Sequence, residues 1–270
     1  MSKPVCPGFG ISAPGCRGLR SIVARASLVA LAVLFLLSFA TFRAQAQEAV
    51  DATLVLAVDV SGSIDSREFV LQRQGYARAL IDKRFINAVQ GGEHQAIAVG
   101  YFEWTGPGMN APVYECMMIR TDADARKLSD QLLSVPRLLY GGGTGVGEAI
   151  YSGIAMHERC AHPTDRRVID ISGDGRTNRG RPAGPARDEA VKRGITINGL
   201  AIINQEPDLE EYYRSQVMGG QGSFVAVVND FEAFEDAVIA KLVREISYRD
   251  ERGRDATPAM ADIRDQRPPQ

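Results

Sequence analysis

Short, nearly continuous apolar runs alternate along this chain with longer stretches of helical periodicity, and that alternation constrains the fold more than any other feature. TLVLAVDV (53–60) has no solvent-facing phase, so it reads as a strand buried on both faces. SREFVLQRQGYARALID (66–82) follows, with Phe69, Val70, Tyr76, Ala77, Leu80 and Ile81 at helical spacing. QAIAVGYFEW (95–104) predicts a second buried strand, and PVYECMMIR (112–120), across the turn TGPGMNA, its hairpin partner. DADARKLSDQLLSV (122–135) predicts a helix with acidic residues in its first turn, and VGEAIYSGIAMHE (146–158) another, with the Gly-rich PRLLYGGGTG between them. RRVIDISGD (166–174), ITINGLAII (195–203) and SFVAVV (223–228) complete the strands. PARDEAVKRG (185–194), closed by Gly194, DLEEYYRSQVM (208–218) and the long NDFEAFEDAVIAKLVREISY (229–248), with Asn229 or Asp230 as its cap, complete the helices. Strands alternating with helices imply an α/β chain with a mostly parallel sheet covered on both faces, here as one domain over 50–248.

The two ends read differently. Residues 1–25 carry Lys3, Arg17, Arg20 and Arg25 and no acidic residue; SLVALAVLFLLSFA (27–40) is apolar, and Ala44 and Ala46 form an A-x-A site. That is the layout of a cleavable secretory signal over 1–46, with an apolar core short of the roughly 20 residues of a spanning helix. Export follows, to the periplasm of a Gram-negative bacterium or beyond the cell, with no stable membrane insertion after cleavage. The alternative is an uncleaved anchor. The tail 249–270 is polar, contains Pro and reads as disordered. Cleavage after Ala46 removes five of the 31 basic residues and none of the 33 acidic ones, leaving a net charge of −7. Such a balance argues against a nucleic-acid partner and is compatible with binding a cation. Cys6 and Cys16 leave with the signal; Cys116 and Cys160 remain, either as a disulfide permitted by an oxidising compartment or as two buried thiols.

The first strand ends in DVSGSID, where Asp59, Ser61 and Ser63 place three oxygen-bearing side chains at alternate positions around Gly62. In an open parallel sheet, ligands gather at the carboxyl ends of the strands. Two further loops reach the same edge: GGGTG presents Thr144 just before a helix, and ISGDG presents Asp174 just after a strand. The pooled set is three hydroxyls and two carboxylates, without sulfur or imidazole. Such a set suits a hard divalent cation, Mg2+ above all, with Ca2+ or Mn2+ as alternatives. The competing reading has Asp59 capping the following helix while the two serines make a turn, and leaves Thr144 and Asp174 unexplained.

DVSGS resembles the D-x-S-x-S motif of von Willebrand factor A domains, whose metal-ion-dependent adhesion site adds one Thr and one Asp from later loops; Thr144 and Asp174 match those positions. More narrowly, YFEW, RRVIDISGDG, ITINGLAI and the YY…GG…FV run resemble the bacterial DUF1194 family, to which no activity is attached. The resemblance covers residues 50–248. It implies a three-layer, Rossmann-like fold: a mostly parallel central sheet in the order 3-2-1-4-5-6, one antiparallel edge strand, and helices on both faces. It also implies that Ser61, Ser63 and Thr144 are close metal ligands, with Asp59 and Asp174 acting through water. A partner protein would then offer an acidic side chain to the metal.

Glu103 and Trp104 end the second strand at the same edge, and either rim a partner-binding surface or pack beneath the hairpin. Asp170 lies inside a buried strand as a polar contact with no assigned function. GGGTGVGEAI lacks the Lys of a G-x-x-x-x-G-K-S/T phosphate loop. There is no G-x-S-x-G or H-E-x-x-H, and His94, His157 and His162 fall outside the site loops, so no catalytic residue is assigned. The expected function is metal-dependent protein binding rather than catalysis. The alternatives are a metal-dependent hydrolase, a domain whose metal is purely structural, and a partner of a AAA+ ATPase, which export disfavours.

Overall fold

The computed structural model describes residues 48–203, 206–231 and 233–247; the expected signal (1–46) and tail (249–270) lie outside them. Among these residues, six strands form one sheet: β1 (Ala52–Asp59), β2 (Ile97–Trp104), β3 (Asn110–Ile119), β4 (Arg167–Gly173), β5 (Ile195–Ile202) and β6 (Val225–Val228). The order is β3-β2-β1-β4-β5-β6, parallel throughout except for the antiparallel β2–β3 pair. Seven α-helices cover it: α1 (Ser66–Ile81), α2 (Lys83–Gln90), α3 (Asp122–Ser134), α4 (Val146–Arg159), α5 (Ala183–Lys192), α6 (Leu209–Tyr212) and α7 (Phe234–Ser247). None of the described helices is long and apolar enough to cross a membrane.

The continuous apolar run of β1 is explained by its two faces. Leu54, Leu56 and Val58 join one core with α1, α2, α3 and α7, while Val55 and Ala57 join a second with α4, α5 and α6. A strand whose side chains alternate between two dry layers has no polar phase. In the first layer Tyr76 of α1 meets Tyr101 of β2 and Phe234 of α7 edge-on, at centroid distances of 5.6 and 5.5 Å. These contacts fix α1 against the sheet and against the last helix.

Three elements depart from the sequence reading. KRFINAVQ forms α2, where no helix was expected: Asp82 ends α1 and accepts the Arg84 N–H at 2.8 Å to start the next helix, which buries Phe85, Ile86 and Val89. The expected helix over 208–218 is one α-turn running into a π-turn, Tyr213–Val217. The last helix begins at Phe234 rather than 229, because Asp230 accepts the Ala233 N–H at 2.9 Å in a turn that precedes it.

Cys116 of β3 is bridged to Cys160, just beyond α4, with a Cα–Cα distance of 5.4 Å in the range of native disulfides. The bridge ties the edge strand to the helical layer. β3 itself is half exposed, places Pro112 opposite Phe102, and carries register shifts around Tyr101. Asp170, buried in β4, forms an ion pair with Lys241 of α7. Lys241 also lies 2.6 Å from Glu245, which accepts from Asn198 of β5 at 2.8 Å. Burial and the nearby Glu245 push the Asp170 carboxyl up, and the Lys241 ammonium opposes them.

Candidate metal centre

β1 ends at Asp59, β4 ends one residue before Asp174, and Thr144 precedes α4, so the three loops meet at the carboxyl edge of the sheet. Asp59 Oδ1 accepts the Ser61 N–H at 2.8 Å. Ser63 Oγ donates to Asp174 Oδ1 at 2.8 Å. Ser61 Oγ lies 3.3 Å from Ser63 Oγ and accepts from Thr144 Oγ1 at 3.3 Å. All five residues singled out in the sequence therefore belong to one connected cluster. Asp59, Ser61, Thr144 and Asp174 are buried, and Ser63 is exposed.

Local chemistry explains why the first loop turns this way. The cap of α1 is Asp65, which accepts the N–H groups of Arg67 and Glu68 at 2.7 and 2.8 Å while Glu68 returns a bond to the Asp65 N–H at 2.8 Å. This reciprocal capping box satisfies the helix start. Asp59 is thereby released from the capping role that the sequence left open to it.

The second loop is built on glycine. Gly141, Gly142 and Gly143 have φ of 64°, 91° and 79°, a left-handed run that side chains rarely adopt. A Cβ on Gly142 would fall 2.6 Å from Thr105 Oγ1, and one on Gly143 would fall 2.8 Å from Asn178 Oδ1. The Thr144 N–H donates to Asn178 Oδ1 at 2.9 Å, and the Thr144 carbonyl accepts the N–H groups of Asn178 and Arg179 at 2.9 and 3.2 Å. The Thr144 loop is in this way fastened to the loop that follows Asp174.

Arg137 makes the remaining link. Its Nη2 donates to the carbonyls of Val60 and Ile64 at 2.9 and 3.1 Å, and its Nε to that of Leu139 at 2.9 Å. Sequence reasoning missed Arg137 and Asn178. Neither sits in a motif, and a side chain that satisfies carbonyls more than 70 residues away leaves no periodic trace.

The electrostatics of the cluster are unbalanced. Burial first, and the neighbouring Asp174 second, push the Asp59 carboxyl up to about 8. Burial also raises Asp174, against the hydrogen bond from Ser63. Asp59 Oδ2 and Asp174 Oδ2 are both buried without a hydrogen-bond partner among the described residues, as is the Tyr213 hydroxyl. Orphaned buried carboxylate oxygens are rare and costly. The described residues hold no cluster of three or more His, Cys, Asp or Glu side chains suited to a metal. What the edge offers is an all-oxygen set with two anionic members, and that donor chemistry fits a hard divalent cation.

The rim expected of Glu103 and Trp104 is overturned by burial: each is 1% exposed. They point to opposite faces, as neighbours in a strand must. Trp104 packs in the core beneath α4. Glu103 accepts from Arg73 Nε of α1 at 2.7 Å in a buried ion pair. The sheet is covered on both sides even at its carboxyl edge, so neither side chain reaches solvent.

Residues 49–250 match the family described as a protein of unknown function, DUF1194. No curated protein matches the sequence. Among solved structures, the chain is similar to proximal thread matrix protein 1 from the mussel byssus with a zinc-occupied MIDAS motif, at 15% identity and a TM-score of 0.55 over 74% of this chain and 49% of that one. It is similar to the pilus adhesin SpaC from Lactobacillus rhamnosus GG, at 15% identity and a TM-score of 0.55 over 74% and 31%. It is also similar to a von Willebrand factor type A protein from Catenulispora acidiphila, at 16% identity and a TM-score of 0.51 over 73% and 43%. The chain spans about half or less of the length of these proteins. What these structures share with the chain is the fold alone, whereas the family match takes in β1 to α7. The chain belongs to the DUF1194 family and carries the fold of von Willebrand factor A domains.

Proposed function

We propose that Asp59, Ser61, Ser63, Thr144 and Asp174 hold a divalent cation, Mg2+ in the first place with Ca2+ or Mn2+ as alternatives, and that the protein uses it to bind a partner protein through an acidic side chain. The observation that carries this reading is the pair of buried, unpartnered oxygens, Asp59 Oδ2 and Asp174 Oδ2, in a cluster closed by three hydroxyls. A bound cation would supply positive charge and an open coordination position for a carboxylate oxygen. In this reading the hydroxyls of Ser61, Ser63 and Thr144 face the cation, and the two aspartates neutralise it and orient its waters. The mussel byssus protein has been solved with zinc in its MIDAS motif, which supports the same use of the edge here.

Binding is favoured over hydrolysis by where the imidazoles lie. All three histidines touch the opposite end of β1 or the residues leading into it: His157 Nδ1 is 3.1 Å from Thr53 Oγ1, the backbone N–H of His94 donates to Asp51, and His162 Nδ1 lies 2.9 Å from the Glu48 carbonyl. None is within reach of the cluster to serve as a general base. Export to an oxidising compartment, read from residues 1–46, is supported by the Cys116–Cys160 bridge.

The test is calorimetric titration of the purified, chelator-stripped protein with Mg2+, Mn2+ and Ca2+, beside a Ser61→Ala, Ser63→Ala double variant. Saturable binding that the variant loses is the expected result. A wild-type protein that takes up none of the three cations would overturn the reading.

A further inference from the structure

The loop that follows Asp174 reads GRTNRGR and carries Arg176, Arg179 and Arg181 in a chain whose described region is acidic on balance. The outer two are committed. Arg176 is held by Glu206 and Asp208, each at 2.7 Å. Arg181 is paired with Glu148, and its guanidinium stacks over Tyr151 at 3.7 Å from the ring centroid. Arg179 between them is exposed, and its guanidinium makes no hydrogen bond or ion pair among the described residues.

The position of Arg179 is nonetheless set. Its N–H donates to the Thr144 carbonyl at 3.2 Å. Its stem lies against the glycine loop, so that a Cβ on Gly143 would meet Arg179 Cδ at 2.8 Å and Cγ at 2.9 Å. Gly143 thus leaves the space the arginine stem occupies, one residue from Thr144. The result is an arginine anchored by its backbone to Thr144 and by its stem to Gly143, with an exposed and uncommitted guanidinium. An exposed arginine elsewhere would be ordinary solvation; one with its root fixed to the site and its neighbours already neutralised is placed for an anion from outside.

We propose that Arg179 binds a second carboxylate of the same partner, so that the surface recognises an acidic segment with at least two carboxylates close together, one for the cation and one for the guanidinium. This rests on the reading of the metal centre given above. The cation fixes one oxygen as a point contact, and the planar guanidinium accepts a neighbouring carboxylate as a fork. A partner with a single acid would satisfy only half of the surface.

The test uses fluorescently labelled hexaglutamate, and a labelled hexapeptide with one Glu among Gly and Ser, titrated by anisotropy with the purified protein in excess Mg2+. Arg179→Gln should weaken hexaglutamate about threefold to tenfold, the span from an exposed ion pair to a charge-assisted fork. It should leave the single-Glu peptide and the calorimetric Mg2+ titration unchanged. Arg126→Gln removes the same charge from the exposed face of α3 near the opposite end of the sheet, and should leave both peptides unaffected. Equal hexaglutamate affinity in wild type and Arg179→Gln, an equal loss in Arg126→Gln, or no hexaglutamate binding by Mg2+-loaded wild type would each overturn the clamp while leaving the metal centre standing. Failure of the wild type to take up any of the three cations would remove the metal centre, and the clamp with it.

Discussion

Asp59 ends β1 with one carboxylate oxygen on the Ser61 amide and the other bonded to nothing among the described residues. Asp174 faces it in the same condition. Replacing one carboxylate by an isosteric amide removes the charge and keeps the shape, so Asp59→Asn in chelator should be at least as stable as wild type. Adding Mg2+ should then separate them. A ligand at about 100 times its Kd stabilises the folded state by about 2.7 kcal/mol. For a chain of this size that is a rise in Tm of roughly 5–10 °C, expected for wild type and absent in Asp59→Asn. Thermal melts with and without Mg2+ decide it; an equal shift in both proteins would show that the cation acts elsewhere. The five cluster residues were legible in the sequence because each sits at a strand end or just before a helix within a short motif. Arg137, Asn178 and the Arg73–Glu103 pair were not, because what joins them is tertiary: each satisfies a group on another element or loop far along the chain.

At the scale of elements, the glycine loop separates backbone conformation from space. Gly141 and Gly142 both have positive φ, at 64° and 91°, yet a Cβ on Gly141 meets nothing within 4 Å while one on Gly142 meets Thr105 Oγ1 at 2.6 Å and Met109 sulfur at 2.7 Å. Gly141→Ala should cost about 1 kcal/mol from the left-handed backbone alone. Gly142→Ala adds a clash and should cost about 1–3 kcal/mol more, together with weaker Mg2+ binding as Thr144 is displaced. Urea denaturation and calorimetry on the two variants check this; similar losses in both would mean that the loop yields. The strands were readable from apolar runs alone, because burial on two faces erases alternation. α2 was hidden for a different reason. Asp82 both ends one helix and begins the next, so a single residue breaks the pattern where a longer gap would have announced two elements. The π-turn after α6 was equally invisible, since its apolar spacing matches that of an ordinary helix over so few residues.

For the described residues taken together, one source of pH dependence lies far from the site. Burial pushes the His157 imidazole down to about 4, and its two ring nitrogens lie 3.1 Å from Thr53 Oγ1 and from the Val168 carbonyl. The ring is neutral when folded, whereas the unfolded chain protonates it below its ordinary 6.5. Its contribution is therefore fully present above pH 6.5 and drains away as pH falls towards 4, with about 2 kcal/mol lost by pH 5. Urea denaturation at pH 7 and pH 5 should show a larger drop for wild type than for His157→Gln; parallel drops would locate the acid sensitivity in other groups. The margins of the sheet carry a last consequence. An open sheet invites a neighbouring chain to add a strand at either side. Here β6 is only four residues long, and β3 carries a proline, a break in register and a covalent tether to Cys160. Both sides are thus poor templates for lateral growth. A fold blunted at its flanks in this way can be kept at high concentration without joining its own copies edge to edge.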